Sequence, residues 1–176
     1  MFYYEHEGVK FYFIDNEYYF GREGNVYGFY DDGERFAFFS RAALDTLARL
    51  DIYPDVLQCN DWQTAASIVY LKGMYYADEK YRRIKTVFTI HNIEYQGIFG
   101  METFGSLFGF PDNLRDFAEF DGNVNLMKAA IEMSDLVNTV SPTYAEEIKN
   151  AFFAHGLENI IARNSYKIYG ILNGID

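Results

Sequence analysis

Four polar positions stand directly after short apolar runs. They are Asp61 after PDVLQCN, His91 with Asn92 after KTVFTI, Ser141 after LVNTV, and Asn173 after IYGIL. A carboxylate, an imidazole and amides can hydrogen-bond the hydroxyls of a polyol, and the first two can also move a proton. Each position has a structural use as well. Asp61 can cap the helix that follows it, and His91 can be satisfied by a neighbouring carbonyl. Ser141 before Pro142 reads more simply as a helix cap than as a nucleophile, because no GxSxG surrounds it. Trp62 is either core packing or an apolar platform for a sugar ring. Tyr95 and Gln96 can hydrogen-bond a ligand, whereas Phe99, Phe104, Phe108 and Phe110 read as core.

The elements that must position these residues alternate along the chain. Residues 9–14, VKFYFI, have strand character, and a Gly-punctuated loop with several Tyr runs from Glu17 to Tyr30. Asp31 or Asp32 can cap a helix with Phe36, Phe39, Ala43, Leu47 and Leu50 at helical spacing, ending before Pro54. Residues 55–59 form a short strand, and Asn60 or Asp61 opens a helix to about Tyr76. The strand Lys85 to Ile90 is apolar on both sides, which suits a buried parallel sheet. A Gly- and Phe-rich segment from 93 to 123 leads to a helix at about 124–133. The strand 136–140, a helix opened by Ser141-Pro142 and the strand 168–172 complete the order. Strand–helix alternation predicts a Rossmann-like, mostly parallel α/β sheet in one domain. In such sheets ligands sit beyond the carboxyl ends of the strands, so Asp61, His91, Ser141 and Asn173 should share one edge. His91 and Asn173 are expected within about 15 Å, a few strand spacings.

Composition removes several classes of function. Fifteen Lys and Arg against twenty-six Asp and Glu give a formal charge of -11, which disfavours nucleic acid as a partner. The one compact basic cluster, Lys80, Arg82, Arg83 and Lys85, reads as a solvated turn. A single Cys59 excludes an internal disulfide and a cysteine-cluster metal site, and it fits a reducing cytoplasm. Three dispersed histidines in no HExxH spacing argue against a metal, and His6 and His155 read as surface residues. No apolar run reaches the roughly 18 residues of a membrane span. GxGxxG and GxxxxGK[ST] are both missing, so no cofactor is expected from a dinucleotide or P-loop signature.

Taken in order, PDVLQCNDWQTA, TVFTIHNIEYQGIFG, VNTVSPTYAEEI and GILNGID resemble the amino-terminal domain of bacterial glycogen synthases and plant starch synthases. HNIEYQG is the most specific of the four. The resemblance implies part of a GT-B glycosyltransferase, a metal-independent enzyme that moves glucose from ADP-glucose or UDP-glucose to the non-reducing end of an α-1,4-glucan with retention. It implies catalytic-side roles for Asp61, His91 and Asn173, and acceptor-side roles for Trp62, Asn92, Tyr95, Gln96 and, in GNVYG, Tyr27. Family members also carry a Lys-Thr-Gly-Gly-Leu loop and a second domain that meet the donor diphosphate, and residues 1–176 show neither. The chain is therefore expected to be an incomplete amino-terminal domain, inactive alone and engaging the nucleotide sugar only with the missing second domain. Two other readings remain open: a non-catalytic glucan-binding module or decayed paralogue, and an α/β scaffold completed by a partner chain. A missing first strand would leave an exposed sheet edge, open to self-association.

Overall fold

A computed structural model describes residues 1–174; Ile175 and Asp176, the last two residues of the GILNGID segment, lie outside the described residues. The chain opens with a hairpin, β1 (Phe2–His6) and β2 (Val9–Phe13), paired antiparallel from Phe2↔Phe13 to His6↔Val9. Its turn, Glu7-Gly8, has positive φ at both residues, the geometry whose twist suits a two-residue hairpin. The strand expected at residues 9–14 thus exists, but it pairs locally and stands apart from the parallel sheet. Both of its faces are exposed.

After the short α1 (Glu17–Phe20) comes α2 (Asp32–Leu50). The helical period is as the sequence indicates, yet the buried face is rotated. Gly33, Ala37, Ser40 and Leu44 are buried, while Phe36 and Leu47 are half-buried and Phe39 exposed. Small residues on that face let α2 lie close to its neighbour, and the larger rings fill the flanks. Next come β3 (Val56–Asn60), α3 (Asp61–Gly73), α4 (Glu79–Arg82) and β4 (Lys85–Ile90). The Gly- and Phe-rich stretch folds into β5 (Ile98–Gly100), α5 (Thr103–Ser106), α6 (Arg115–Ala118), β6 (Glu119–Phe120) and β7 (Asn123–Asn125). These three strands make a small antiparallel sheet in the order β5-β7-β6, which the hydrophobic pattern does not announce. Phe104, Phe108 and Phe110 are core, as the sequence indicates. The chain finishes with α7 (Leu126–Met133), β8 (Leu136–Thr139), α8 (Pro142–Glu147), α9 (Glu158–Asn164) and β9 (Ile168–Gly170).

The main sheet is four-stranded and parallel, in the order β3-β4-β8-β9. One face is core: Cys59, Phe88, Ile90, Val137 and Ile168 are buried beneath α3 and α7. The opposite face is open, with Val56, Leu136 and Tyr169 exposed. Neighbouring strands lie about 4.8 Å apart, so β4 and β9, separated by one strand, run about 10 Å apart.

The amino ends of β4 and β8 are locked by Asp135. Its Oδ2 accepts from Lys72 Nζ at 2.6 Å, from the Thr86 backbone N–H at 2.7 Å and from the Thr86 hydroxyl at 2.9 Å. Partial burial pushes the Asp135 carboxyl up, but the bonds from Lys72 and Thr86 overcome this and hold it below the ordinary carboxylate value. A carboxylate whose pKa is depressed by folding stabilises the protein above its unfolded pKa, and that contribution disappears as pH falls through the folded value. Asp135→Asn is therefore expected to lower stability at neutral pH and to flatten the acid side of the stability profile, measured by urea denaturation from about pH 7 to pH 3. An unchanged acid limb would show that Asp135 does not carry it.

Candidate functional site

A cavity of about 560 Å³ opens at the carboxyl edge of the main sheet. Its wall combines Tyr27 and Gly28 from the aromatic loop, Asp32 from the start of α2, Asp61, Trp62 and Gln63 from the start of α3, and Asn92 and Tyr95 from the loop after β4. Tyr27 and Tyr95, 58% and 60% exposed, are the open rings. Trp62 is only 9% exposed, with Phe36 edge-on at a ring separation of 5.1 Å and Phe99 at 5.8 Å. It is a floor packed into the core that still lines the cavity, so of the two uses open to it in the sequence the packing one holds. A Cβ on Gly97 would come within 2.7 Å of the indole, and φ there is +67°, so only glycine fits.

The loop after β4 has little regular structure, and side chains hold its main chain in place. Asp61 Oδ1 accepts the N–H of His91 at 2.8 Å. Tyr144 Oη accepts the N–H of Ile93 at 2.9 Å, and Asn92 Oδ1 accepts the N–H of Glu94 at 3.0 Å. Asp61 has φ +53° and its carboxylate reaches across to β4, so it does not act as a cap of α3. His91 is exposed, and its Nε2 lies 3.0 Å from the side-chain oxygen of Asn60. Gln96 is buried and both ends of its amide are engaged, Nε2 donating to the His155 carbonyl at 2.9 Å and Oε1 accepting from Asn125 at 2.7 Å. It braces the loop from behind, in place of the ligand-contacting role expected for it. Ser141 caps α8 by accepting the Tyr144 N–H at 3.0 Å.

The aromatic loop is held by a buried ion pair that sequence reasoning missed, having assigned Asp31 and Asp32 to capping. The Arg35 guanidinium pairs with Asp32 and donates to the carbonyls of Tyr19, at 2.8 Å, and Val26, at 3.1 Å. Asp32 Oδ2 in turn accepts the N–H groups of Gly28, at 2.5 Å, and Phe29, at 3.1 Å. Arg22 and Asp31 form a second, two-pronged pair at 2.7 and 2.6 Å. An arginine among buried positions of α2, three residues after an aspartate, was the available signal. Asn173 is exposed and follows β9, outside the cavity wall. The cavity thus gathers Tyr27, Asp61, Trp62, Asn92 and Tyr95, while His91 adjoins it and Asn173 follows β9, with β8 between that strand and the β4 that leads to His91.

Among the described residues no group of three His, Cys, Asp or Glu side chains is placed to hold a metal, and no helix is long and apolar enough to cross a membrane. Cys59, buried under α3, has its thiol pushed up to about 12 by burial, which makes it unreactive as a nucleophile.

A parallel α/β sheet with its cavity at the carboxyl ends of the strands defines a Rossmann-like domain, and its counterpart among solved structures is part of a GT-B glycosyltransferase. The catalytic domain of starch synthase IV from Arabidopsis thaliana, bound to ADP and acarbose, superposes with a TM-score of 0.86 at 37% identity, over 97% of this chain and 36% of that one. The chain belongs to the family of the starch synthase catalytic domain, whose family model matches residues 1–163. It is 50% identical over 173 residues to a glycogen synthase of Alkaliphilus metalliredigens and 51% identical over 175 residues to one of Clostridium novyi, in each case covering 36% of the relative. The chain thus spans about a third of the length of the curated relatives it matches.

The Arg35–Asp32 pair gives the site's first test. Arg35→Met keeps the length and apolar contacts of the side chain but strands the Asp32 carboxylate, and breaking a buried pair this way costs about 3–5 kcal/mol. Chemical denaturation should show a loss of that order. A loss below about 1 kcal/mol, the range of surface pairs, would mean the loop does not depend on Arg35.

Proposed function

We propose that this chain forms the acceptor-side wall of a glycogen or starch synthase, holding the non-reducing end of an α-1,4-glucan while glucose arrives from ADP-glucose or UDP-glucose. One observation carries the reading. The cavity wall has the Asp61 carboxylate, open tyrosine rings and amides, and neither Lys nor Arg; its other carboxylate, Asp32, is taken up by Arg35 and by the Gly28 and Phe29 amides. Such a wall suits a neutral polyol, whose hydroxyls donate to the carboxylate and whose ring faces pack on aromatics, and it offers a diphosphate no cation. Stabilising a departing phosphate needs cations or amides aimed at the developing charge, so the donor belongs to other parts of a full-length synthase. In this reading Asp61 and Asn92 bind sugar hydroxyls, Tyr27 and Tyr95 supply the aromatic contacts, and His91 and Asn173 act beside the transferred glucose. A cytoplasmic setting accords with the free Cys59.

A second reading, a scaffold completed by a partner chain or by a second copy, is favoured by the open face of the parallel sheet. Such sheets ordinarily have both faces covered, and here Val56, Leu136 and Tyr169 are exposed beside an unpaired β3 edge. Sedimentation across a wide concentration range tests the second-copy form: self-association supports it, and a monomer throughout counts against it.

The acceptor reading predicts weak binding of maltoheptaose, with Kd on the order of 1 mM, because aromatic stacking and hydrogen bonds that replace those to water each contribute little. Titration followed by amide NMR shifts should locate the change at residues 27–28, 61–63 and 91–95. Tyr27→Ala and Tyr95→Ala should each weaken binding several-fold, while replacing the distant exposed Tyr166 should not. Shifts elsewhere, or none at tens of millimolar, would sink the reading. Purified chain given ADP-glucose and glycogen should incorporate no glucose; turnover lost in His91→Ala would refute that.

A further inference from the structure

We infer that Asn60 is a positioning residue for His91: its side-chain oxygen holds the imidazole proton on Nε2, so that Nδ1 is the nitrogen offered, as an acceptor, to a sugar hydroxyl. The identity of the incoming group rests on the acceptor-site reading above; the state of the ring does not.

Neighbouring residues of a strand send their side chains to opposite faces. Asn60 closes β3 with extended backbone, φ −116° and ψ 123°, but Asp61 turns into the left-handed region at φ +53°. That turn breaks the alternation, and two consecutive side chains reach the same residue beyond the next strand. Asp61 Oδ1 takes the main-chain N–H of His91 at 2.8 Å, and Asn60 Oδ1 meets the ring Nε2 at 3.0 Å. The backbone bond fixes where the ring starts, and the side-chain bond fixes how it is turned. With the Asn60 oxygen rather than its amide nitrogen turned to the ring, the nitrogen facing it carries the proton and the other keeps its lone pair; the reverse turn of the amide would place the proton on Nδ1. The Asn60 main chain is itself held, its carbonyl accepting from the Thr64 hydroxyl at 2.7 Å. A neutral ring with a fixed acceptor would join the Asp61 carboxylate in accepting from sugar hydroxyls, while the Asn92 amide, its oxygen taken by the Glu94 N–H, has its NH2 left to donate to them.

Long-range proton–nitrogen NMR of the imidazoles reads the tautomer in the ligand-free chain. With three histidines in the sequence, His91→Gln identifies the signal. At about pH 8.5, where an ordinary imidazole is neutral, the wild-type ring should be protonated at Nε2. Asn60→Asp, which retains a side-chain oxygen, should keep that state. Asn60→Leu, which has none, should raise the Nδ1–H share about fivefold, the factor for one net hydrogen bond, with the amide shifts of residues 85–90 unchanged. Wild-type protein protonated at Nδ1 overturns the inference without any variant being needed, and so does an unaltered tautomer ratio in Asn60→Leu. Failure of maltoheptaose to bind, with the tautomer shift intact, would count against the acceptor reading alone.

Discussion

The bond from the His91 main-chain N–H to the Asp61 carboxylate is the interaction on which the geometry of the cavity depends. It joins the end of one parallel strand to the loop following the next, and Asn92 and Tyr95 of that loop line the cavity. A buried or half-buried charge that accepts from a backbone amide makes a stronger bond than a neutral acceptor would. With Tyr144 gripping Ile93 two residues on, the loop is fixed by side chains of two neighbouring segments. Loops held this way retain a defined shape without strand or helix pairing, and that combination suits binding residues.

The opposite wall follows the same rule with different groups. Arg35, buried in α2, points its guanidinium at carbonyls of the aromatic loop, and Asp32 takes two of that loop's amides. Arg35 also lies 4.7 Å from the ring centre of Phe29 and 5.2 Å from that of Phe20. Tyr27 can stand open above the cavity because the chain on either side of it is anchored. The two walls therefore share a logic: rigid elements supply charged anchors, the anchors fix loops, and the loops present aromatic and amide groups.

The main sheet was legible in the sequence because its strands are short β-branched or apolar runs ending in polar residues. Lys85–Ile90 is the clearest, with Leu136–Thr139 and Ile168–Gly170 close behind. Ser141-Pro142 announced its helix correctly, since a cap and a proline act locally. What the sequence did not disclose depends on distant partners. The β1–β2 pairing needs a turn, Glu7-Gly8, that lacks the usual asparagine or aspartate signal. The buried face of α2 was chosen by the fit of small residues against a neighbouring helix, which periodicity cannot rank. Of the candidate site residues, Tyr27, Asp61, Trp62, Asn92 and Tyr95 share a cavity, but only coordinates distinguish an open ring such as Tyr95 from an enclosed one such as Trp62. Gln96 looked free because its partners, His155 and Asn125, are far away in the chain.

Cys59 has a practical consequence of its own. It is the only thiol in the chain, it sits at the end of β3 beneath α3, and burial keeps it protonated at any ordinary pH. A disulfide-exchange reagent in solution can reach it only when the sheet and α3 part. The rate at which that sulfur is consumed is therefore a clock for core opening, set by the molecule itself and free of any attached dye.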